Sequence, residues 1–328
     1  MNAHIDRDDL AMLGAGFVSA MSAGSTAGDV AGAMFDLGWA ELLTAAPGPG
    51  AATAFSALGT TGSSVGLIDD VVLRALGLDL SPTTCIVLPA PHRSDPPATR
   101  RAGHLQIDGL VSSRFDTAEV VMIAVADRDE IQLARVTDRA RHDPSHGIDP
   151  DPSYRRRRCD IPLDDVDIVS TDIAWDHAVA AARIALSHQL IAGARWMLAA
   201  AREHALERVQ FGRPVASFQA VRHKLAESLV AIEAAASVAD AATAEEVGAI
   251  DPLLPALAKS LAGTAARTTS THAQQVLAGI GFTTDHDFQR WMKRTMVVET
   301  VCGSAATLPT EIGRMLLARG GAPRLLDL

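Results

Sequence analysis

The second half of this 328-residue chain is written almost entirely in helical periods. Residues 178–204 are rich in Ala and Leu and contain no proline, the residue that breaks a helix interior. Phe218, Val221, Leu225, Leu229 and Ile232 then recur at three- and four-residue steps, which predicts one face of a second long helix. Pro252 and Pro255 open a third, running to about Ile280, because proline is tolerated in a first turn. A fourth is predicted over Asp287–Val301. Long helices joined by short Gly/Pro turns bury their apolar stripes as an antiparallel four-helix bundle.

The first half divides in two. Leu10, Leu13, Phe17 and Met21 mark an amphipathic helix, and Ile68 to Leu80 reads as another. Composition changes near Ser81-Pro82. Cys85–Leu88 is a short apolar run, Leu105–Gly109 begins an alternating stretch, and Val120–Ala126 reads as a buried strand. Ile131–Val136 alternates again. The expectation is a mainly α chain with a small β-domain: helices over 1–81, a reduced β-domain over 82–173 and the bundle over 174–328.

Charge and cysteine usage exclude several classes. A net charge of −10, with no basic stripe interleaved with aromatics, argues against nucleic acid as a partner. Arg155–Arg158 is the one basic run; it reads as part of a solvated loop, with phosphate or CoA contact as the lesser reading. Cys85, Cys159 and Cys302 are widely spaced and form no C-x-x-C pair, so neither a zinc site nor a disulfide framework is expected. His142, His146 and Asp149 share one loop without further ligands, which is too little for a metal. The chain has no run of 18 apolar residues and no basic-then-apolar leader, so no membrane insertion and a cytoplasmic location are expected.

The most specific motif is the stretch 208–226, RVQFGRPVASFQAVRHKLA. It resembles the acyl-CoA dehydrogenase signature R-x-x-F-G-x-P-[IVL]-x-x-F-Q-x-[VI]-x-H-x-[LM]-A. Residues 35–43, FDLGWAELL, are similar to the L-G-W-x-x-L element of that family's N-terminal helices. The resemblance implies its fold: N-terminal helices, a central β-barrel-like domain and a C-terminal four-helix bundle. It also implies FAD, held across a subunit interface by the Arg of R-x-x-F-G and by a later Q-x-x-G-G-x-G-[FY] loop. An always-charged guanidinium and backbone N–H groups suit a pyrophosphate. Carried onto this sequence, the cofactor contacts are Arg208, Gln210, Phe211, Gln275 and Gly279, with Ala278 replacing the first loop glycine.

The resemblance also shows what is missing. Dehydrogenation needs a carboxylate to take a proton as hydride leaves for the flavin. At the two places where family members carry that glutamate, this chain has Cys302 and Ala182. Glu299, one turn before Cys302, is the fallback base; otherwise it reads as a surface charge beside Lys293 and Arg294. The family's T-E-x-x-x-G-S-D turn is replaced by residues 88–95, LPAPHRSD, and no Trp occurs between Trp39 and Trp175 to pack on a flavin ring. A short chain with a preserved cross-dimer loop and no base is similar to one subunit of the actinobacterial α2β2 enzymes that act on steroid-derived CoA thioesters. The implied partners are a homologous subunit carrying the catalytic Glu, an acyl-CoA and an electron-transfer flavoprotein. Two alternatives are a self-sufficient homo-oligomer using Glu299, and a scaffold that has lost flavin.

Overall fold

The computed structural model describes residues 7–24, 26–128, 130–137, 147–149, 151, 153–170, 173–244 and 251–321. Five helices come first: α1 (Arg7–Ala23), α2 (Ala27–Asp36), α3 (Trp39–Ala45), α4 (Pro47–Thr61) and α5 (Ile68–Ala75). Each boundary has a local cause. Thr26 caps α2 with a reciprocal Thr26–Asp29 box, and Pro47 opens α4. The predicted helix from Ile68 to Leu80 is shorter, because Gly77 turns left-handed at φ 74° and ends it.

Seven strands follow: β1 (Thr84–Pro89), β2 (Ala98–Arg101), β3 (His104–Ser112), β4 (Val120–Asp127), β5 (Glu130–Val136), β6 (Tyr154–Pro162) and β7 (Asp167–Ser170). β1 pairs with β3 at Leu88↔Leu110 and with β4 over Thr84–Val87. β2 continues both ladders, at Ala98↔Ile107 and Ala98↔Val125. β1 and β2 are therefore two halves of one strand, and residues 90–97 between them are pushed out of the sheet as a loop. β6 flanks β3 and β7 flanks β5. One face of the sheet curls round its own core of Val87, Leu105, Ile107, Phe115, Val121 and Ile123, which is the barrel-like character expected. The other face, through Ile86, Leu88, Leu110 and Met122, joins the core of the helices.

The run Arg155–Arg158 is not a solvated loop. It lies in β6, paired with β3 along nine residues. Arg155 and Arg157 are buried on the inner face, where Asp116 pairs with Arg155 and the Phe115 ring lies 4.8 Å from the Arg157 guanidinium. Arg156 and Arg158 point outward and share Asp108.

The bundle is built from α6 (Trp175–Glu207), α7 (Gln219–Ala244), α8 (Leu253–Leu277) and α9 (Phe288–Thr300), with a short hairpin of β8 (Val209–Gln210) and β9 (Arg213–Pro214) after α6. A further helix not anticipated from sequence, α10 (Leu308–Ala318), packs on α8 through Leu253, Ala256, Leu308 and Ile312. Leu229, expected on the buried face of α7, is 49% exposed. The contact face is instead Ile232, Ala235, Ala239 and Ala242, small side chains that let α7 approach its neighbours closely. α9 starts without an aspartate cap: His286 Nδ1 accepts the Phe288 N–H at 3.0 Å.

One buried polar network ties helices to sheet. The Trp39 indole donates to Asp70 at 2.9 Å, and Asp70 takes both terminal nitrogens of Arg114. Beside it, Asp69 accepts the Ile86 N–H at 2.8 Å and the Ser112 hydroxyl. Burial pushes the Asp69 carboxyl up from 3.8 to about 6, against the opposing pull of Arg114, Ser112 and Ile86. A folded-state value above the unfolded one means that folding takes up a proton between these limits, so this group's contribution is greatest below pH 3.8 and is lost as pH rises through about 6. The unfolding free energy of the wild type relative to Asp69→Asn should therefore fall between pH 4 and pH 7, by on the order of 3 kcal/mol. Urea melts of both proteins across that range measure it, and a pH-independent difference would contradict the assignment.

Candidate functional site

All five residues predicted to contact a cofactor line one cleft of about 810 Å³ at the end of the bundle. Its first wall is the α6 terminus and the β8–β9 hairpin. Val209 pairs with Pro214 and Gln210 with Arg213, leaving Phe211 and Gly212 as a two-residue turn. Both are left-handed, at φ 53° and 78°, as a type I′ turn requires. The turn holds Phe211 out at 92% exposure, in edge contact with Phe218 at 6.3 Å. The second wall is the end of α8. There Gln275, Gly279 and Ile280 flank Ala278, which adopts φ 52° at the position where the signature has glycine. The backbone keeps the glycine-type turn although the residue is alanine, at the cost of local strain.

The electrostatics of this cleft are opposite to those of the whole chain. Arg208, His204 and Lys224 line it, and none of its lining residues is acidic. The His204 imidazole is held below its usual value, first by partial burial and then by the His286 and Arg208 charges. His204 and Lys224 were not anticipated from sequence. Their signal was positional: Lys224 lies inside the signature itself, and His204 one turn before its Arg. An exposed guanidinium, a lysine and backbone at a helix end can hold a phosphate chain, and the Phe211 face can stack on a planar base.

The two positions expected for the base form a second, closed corner. Ala182 and Cys302 are buried. Burial pushes the Cys302 thiol up to about 11, so it stays protonated and is a poor nucleophile. Cys302 and Gly303 are both left-handed, at φ 56° and 94°. The turn they make is gripped by two cations that sequence reasoning did not assign. Arg183 Nε donates to the Cys302 carbonyl at 3.0 Å and its Nη2 reaches Glu311 at 2.8 Å. Lys259 Nζ donates to the carbonyls of Glu299 and Gly303 at 2.9 and 3.1 Å. Burial lowers the Lys259 ammonium to about 8. Its place in the stripe Ala256, Lys259, Ala262, Ala266 was the signal that it points inward.

Glu299 is not a surface charge. It is 7% exposed, its carboxylate accepts the Ala305 N–H at 2.6 Å, and a Cβ on Gly263 of α8 would stand 3.2 Å from it. The side chain pins the turn after α9, and its charge acts on the buried Lys259 ammonium.

The loop extruded between β1 and β2 reaches this corner. The His92 N–H donates to the Thr300 carbonyl at 2.8 Å, and the Thr307 hydroxyl to the His92 carbonyl at 3.0 Å. The Ser94 hydroxyl donates to Glu311 at 3.0 Å, and the Trp175 indole to the Ser94 carbonyl at 3.0 Å. Ser94-Asp95, a remnant of the G-S-D turn by sequence, is thus spent on bundle residues, with Asp95 paired to Arg93. Among the described residues no cluster of His, Cys, Asp or Glu could hold a metal. His142 and His146 lie outside them, and Asp149 is buried against Arg294. No helix among the described residues is long and apolar enough to cross a membrane.

Comparison with known proteins bears on the domain and the fold. Residues 175–320 match the family model described as acyl-CoA dehydrogenase, C-terminal domain. The chain is 36% identical over 137 residues to acyl-CoA dehydrogenase IpdE2 of Mycobacterium tuberculosis, a match covering 41% of this chain and 40% of that protein. It spans well under half the length of the curated relatives it matches first. The structure superposes on the Tcur3481–Tcur3483 steroid ACAD with a TM-score of 0.76 at 20% identity, covering 95% of this chain and 98% of that one. It also superposes on a glutaryl-CoA dehydrogenase from Mycobacterium smegmatis in complex with FADH2, with a TM-score of 0.75 at 15% identity and 95% coverage of both chains. Residues 175–320 are therefore an acyl-CoA dehydrogenase C-terminal domain, carried on a chain whose fold throughout is that of the acyl-CoA dehydrogenases.

Proposed function

We propose that this chain is a half-site subunit of an FAD-dependent acyl-CoA dehydrogenase that desaturates an acyl-CoA at its α,β bond. In this reading it supplies the pyrophosphate and adenosine contacts of a flavin whose ring is held by a homologous partner subunit. The observation that carries it is the contrast between the two sites. The Arg208 cleft is open, basic and free of acids. The corner where a base and a flavin ring would meet is occupied by the 90–97 loop, Arg183 and Lys259, and its carboxylates among the described residues, Glu299 and Glu311, already accept hydrogen bonds from the chain.

Within that cleft Arg208 and Lys224 would face the phosphates, Gln210 and Gln275 their flanks, and Phe211 the adenine. Bound FAD supplies the hydride acceptor. The proton is taken by the partner's carboxylate, since Cys302 and Ala182 cannot take it and Glu299 is committed to Ala305. Steroid-derived acyl groups are the favoured substrate class, because the superposed Tcur3481–Tcur3483 protein is a steroid ACAD. The reduced flavin would pass its electrons to an electron-transfer flavoprotein. The cytoplasm is the compartment that fits such a system.

Arg208→Ala in the co-purified complex should weaken FAD retention by about 1.5–3 kcal/mol, roughly 10- to 150-fold in Kd, while the fold is unchanged. Flavin fluorescence titration after stripping measures it, and an unaltered Kd would sink the role given to Arg208.

Glu299→Gln should leave turnover by the assembled enzyme within about threefold of wild type while lowering its melting temperature, because it exchanges the charge-assisted bond from the Ala305 N–H for a weaker neutral one and removes no catalytic group. Loss of turnover of ~10²–10⁴-fold, the usual effect of deleting a general base, would instead make Glu299 the base and restore the self-sufficient reading.

A further inference from the structure

A separate crevice of about 100 Å³ opens at the other end of α6. It is walled by α3, α4, α5, α6 and the last turn of α7. Its α6 residues, 177–184, lie some 20 residues before the Arg208 cleft, or about 30 Å along the helix. Ala182 is not among its lining residues, so it is distinct from the base position.

Small side chains hollow it out: Ala51, Ala75, Ala180, Ala181 and Ala242 come from four different helices. Gly48 is required beside them, since a Cβ there would stand 2.6 Å from the Thr243 carbonyl. Voids of this size are few in a close-packed interior, and apolar ones of about 150 Å³ take up a molecule as large as benzene. At about 100 Å³ this one suits a smaller aliphatic body, of roughly three to five carbons.

Its polar groups are three. The Thr243 hydroxyl is already spent, donating to the Ala239 carbonyl at 2.9 Å and bonded to His188 at 2.8 Å. His177 is exposed at the rim. Arg74, in the last turn of α5, is partly buried, and among the described residues it pairs with no carboxylate. None of the lining residues is acidic. A guanidinium without an internal partner, set at the mouth of an apolar slot in a chain of net charge −10, is complementary to a single carboxylate on a compact aliphatic body.

We propose that the Arg74 crevice binds a small aliphatic monocarboxylate, with the hydrocarbon against Ala180 and Ala181 and the carboxylate on Arg74. This site is independent of the flavin cleft and does not rest on the half-site reading.

Titration of the full chain with pivalate and with neopentyl alcohol, followed by ligand-observed NMR, tests it. The carboxylate should bind saturably at one site, and the alcohol at least tenfold more weakly. Arg74→Gln should weaken the carboxylate at least tenfold and leave the alcohol unchanged, whereas Ala181→Phe, which fills the slot, should abolish both. Should Ala181→Phe fail to fold, Ala75→Leu narrows the same slot from α5 and carries the same expectation. Equal affinity for acid and alcohol, binding that survives a filled slot, or no binding of either probe would overturn the proposal.

Discussion

The placement of residues 90–97 decides what this molecule can do. Because β1 and β2 share one lane between β3 and β4, the intervening residues have no room in the sheet and must leave it. They leave toward the bundle, where Thr300, Thr307, Glu311 and Trp175 take up the polar groups of His92 and Ser94. Four hydrogen bonds of roughly 1 kcal/mol each hold this contact. The loop is thereby sewn to the bundle by a polar seam at the protein's edge, with His92 and Thr307 exposed and Ser94 half-buried.

The neighbouring corner is built to the same end. Without a glutamate after α9, the left-handed Cys302-Gly303 turn still needs its carbonyls satisfied in a dry setting, and Arg183 and Lys259 do this. Two buried cations are costly unless neutralised or hydrogen-bonded. Glu311 offsets Arg183 directly, while the Lys259 ammonium is left with carbonyl partners and a depressed affinity for its proton. The far end of α6 stays open, where Phe211, Arg208 and the α8 terminus line the basic cleft.

The sequence carried local signals well. The signature 208–226 and the Gln275 loop predicted residues that do converge on one cleft, because they sit at helix ends whose geometry is set within a few residues. Non-local facts were not legible. Four consecutive arginines read as solvent-facing until Asp108, Asp116 and Phe115, far off in sequence, are placed opposite them. Glu299 read as a surface charge because nothing nearby announces Gly263 on α8 or the Ala305 amide. Leu229 lost its expected burial to alanines, whose small volume decides how closely α7 and α8 pack. The end-to-end alignment of β1 and β2 in one lane leaves no trace in periodicity, since β1 is buried at five consecutive residues and β2 is exposed at three.

The central claim is that this chain cannot hold a flavin ring by itself yet contributes to holding one. The direct measurement is the FAD-to-polypeptide ratio, by absorbance and native mass, of the chain purified alone and of the chain co-expressed with a homologous subunit that carries the glutamate. The account predicts no retained FAD in the chain alone and one FAD per pair of unlike subunits in the complex. One FAD per chain in the isolated protein would contradict it.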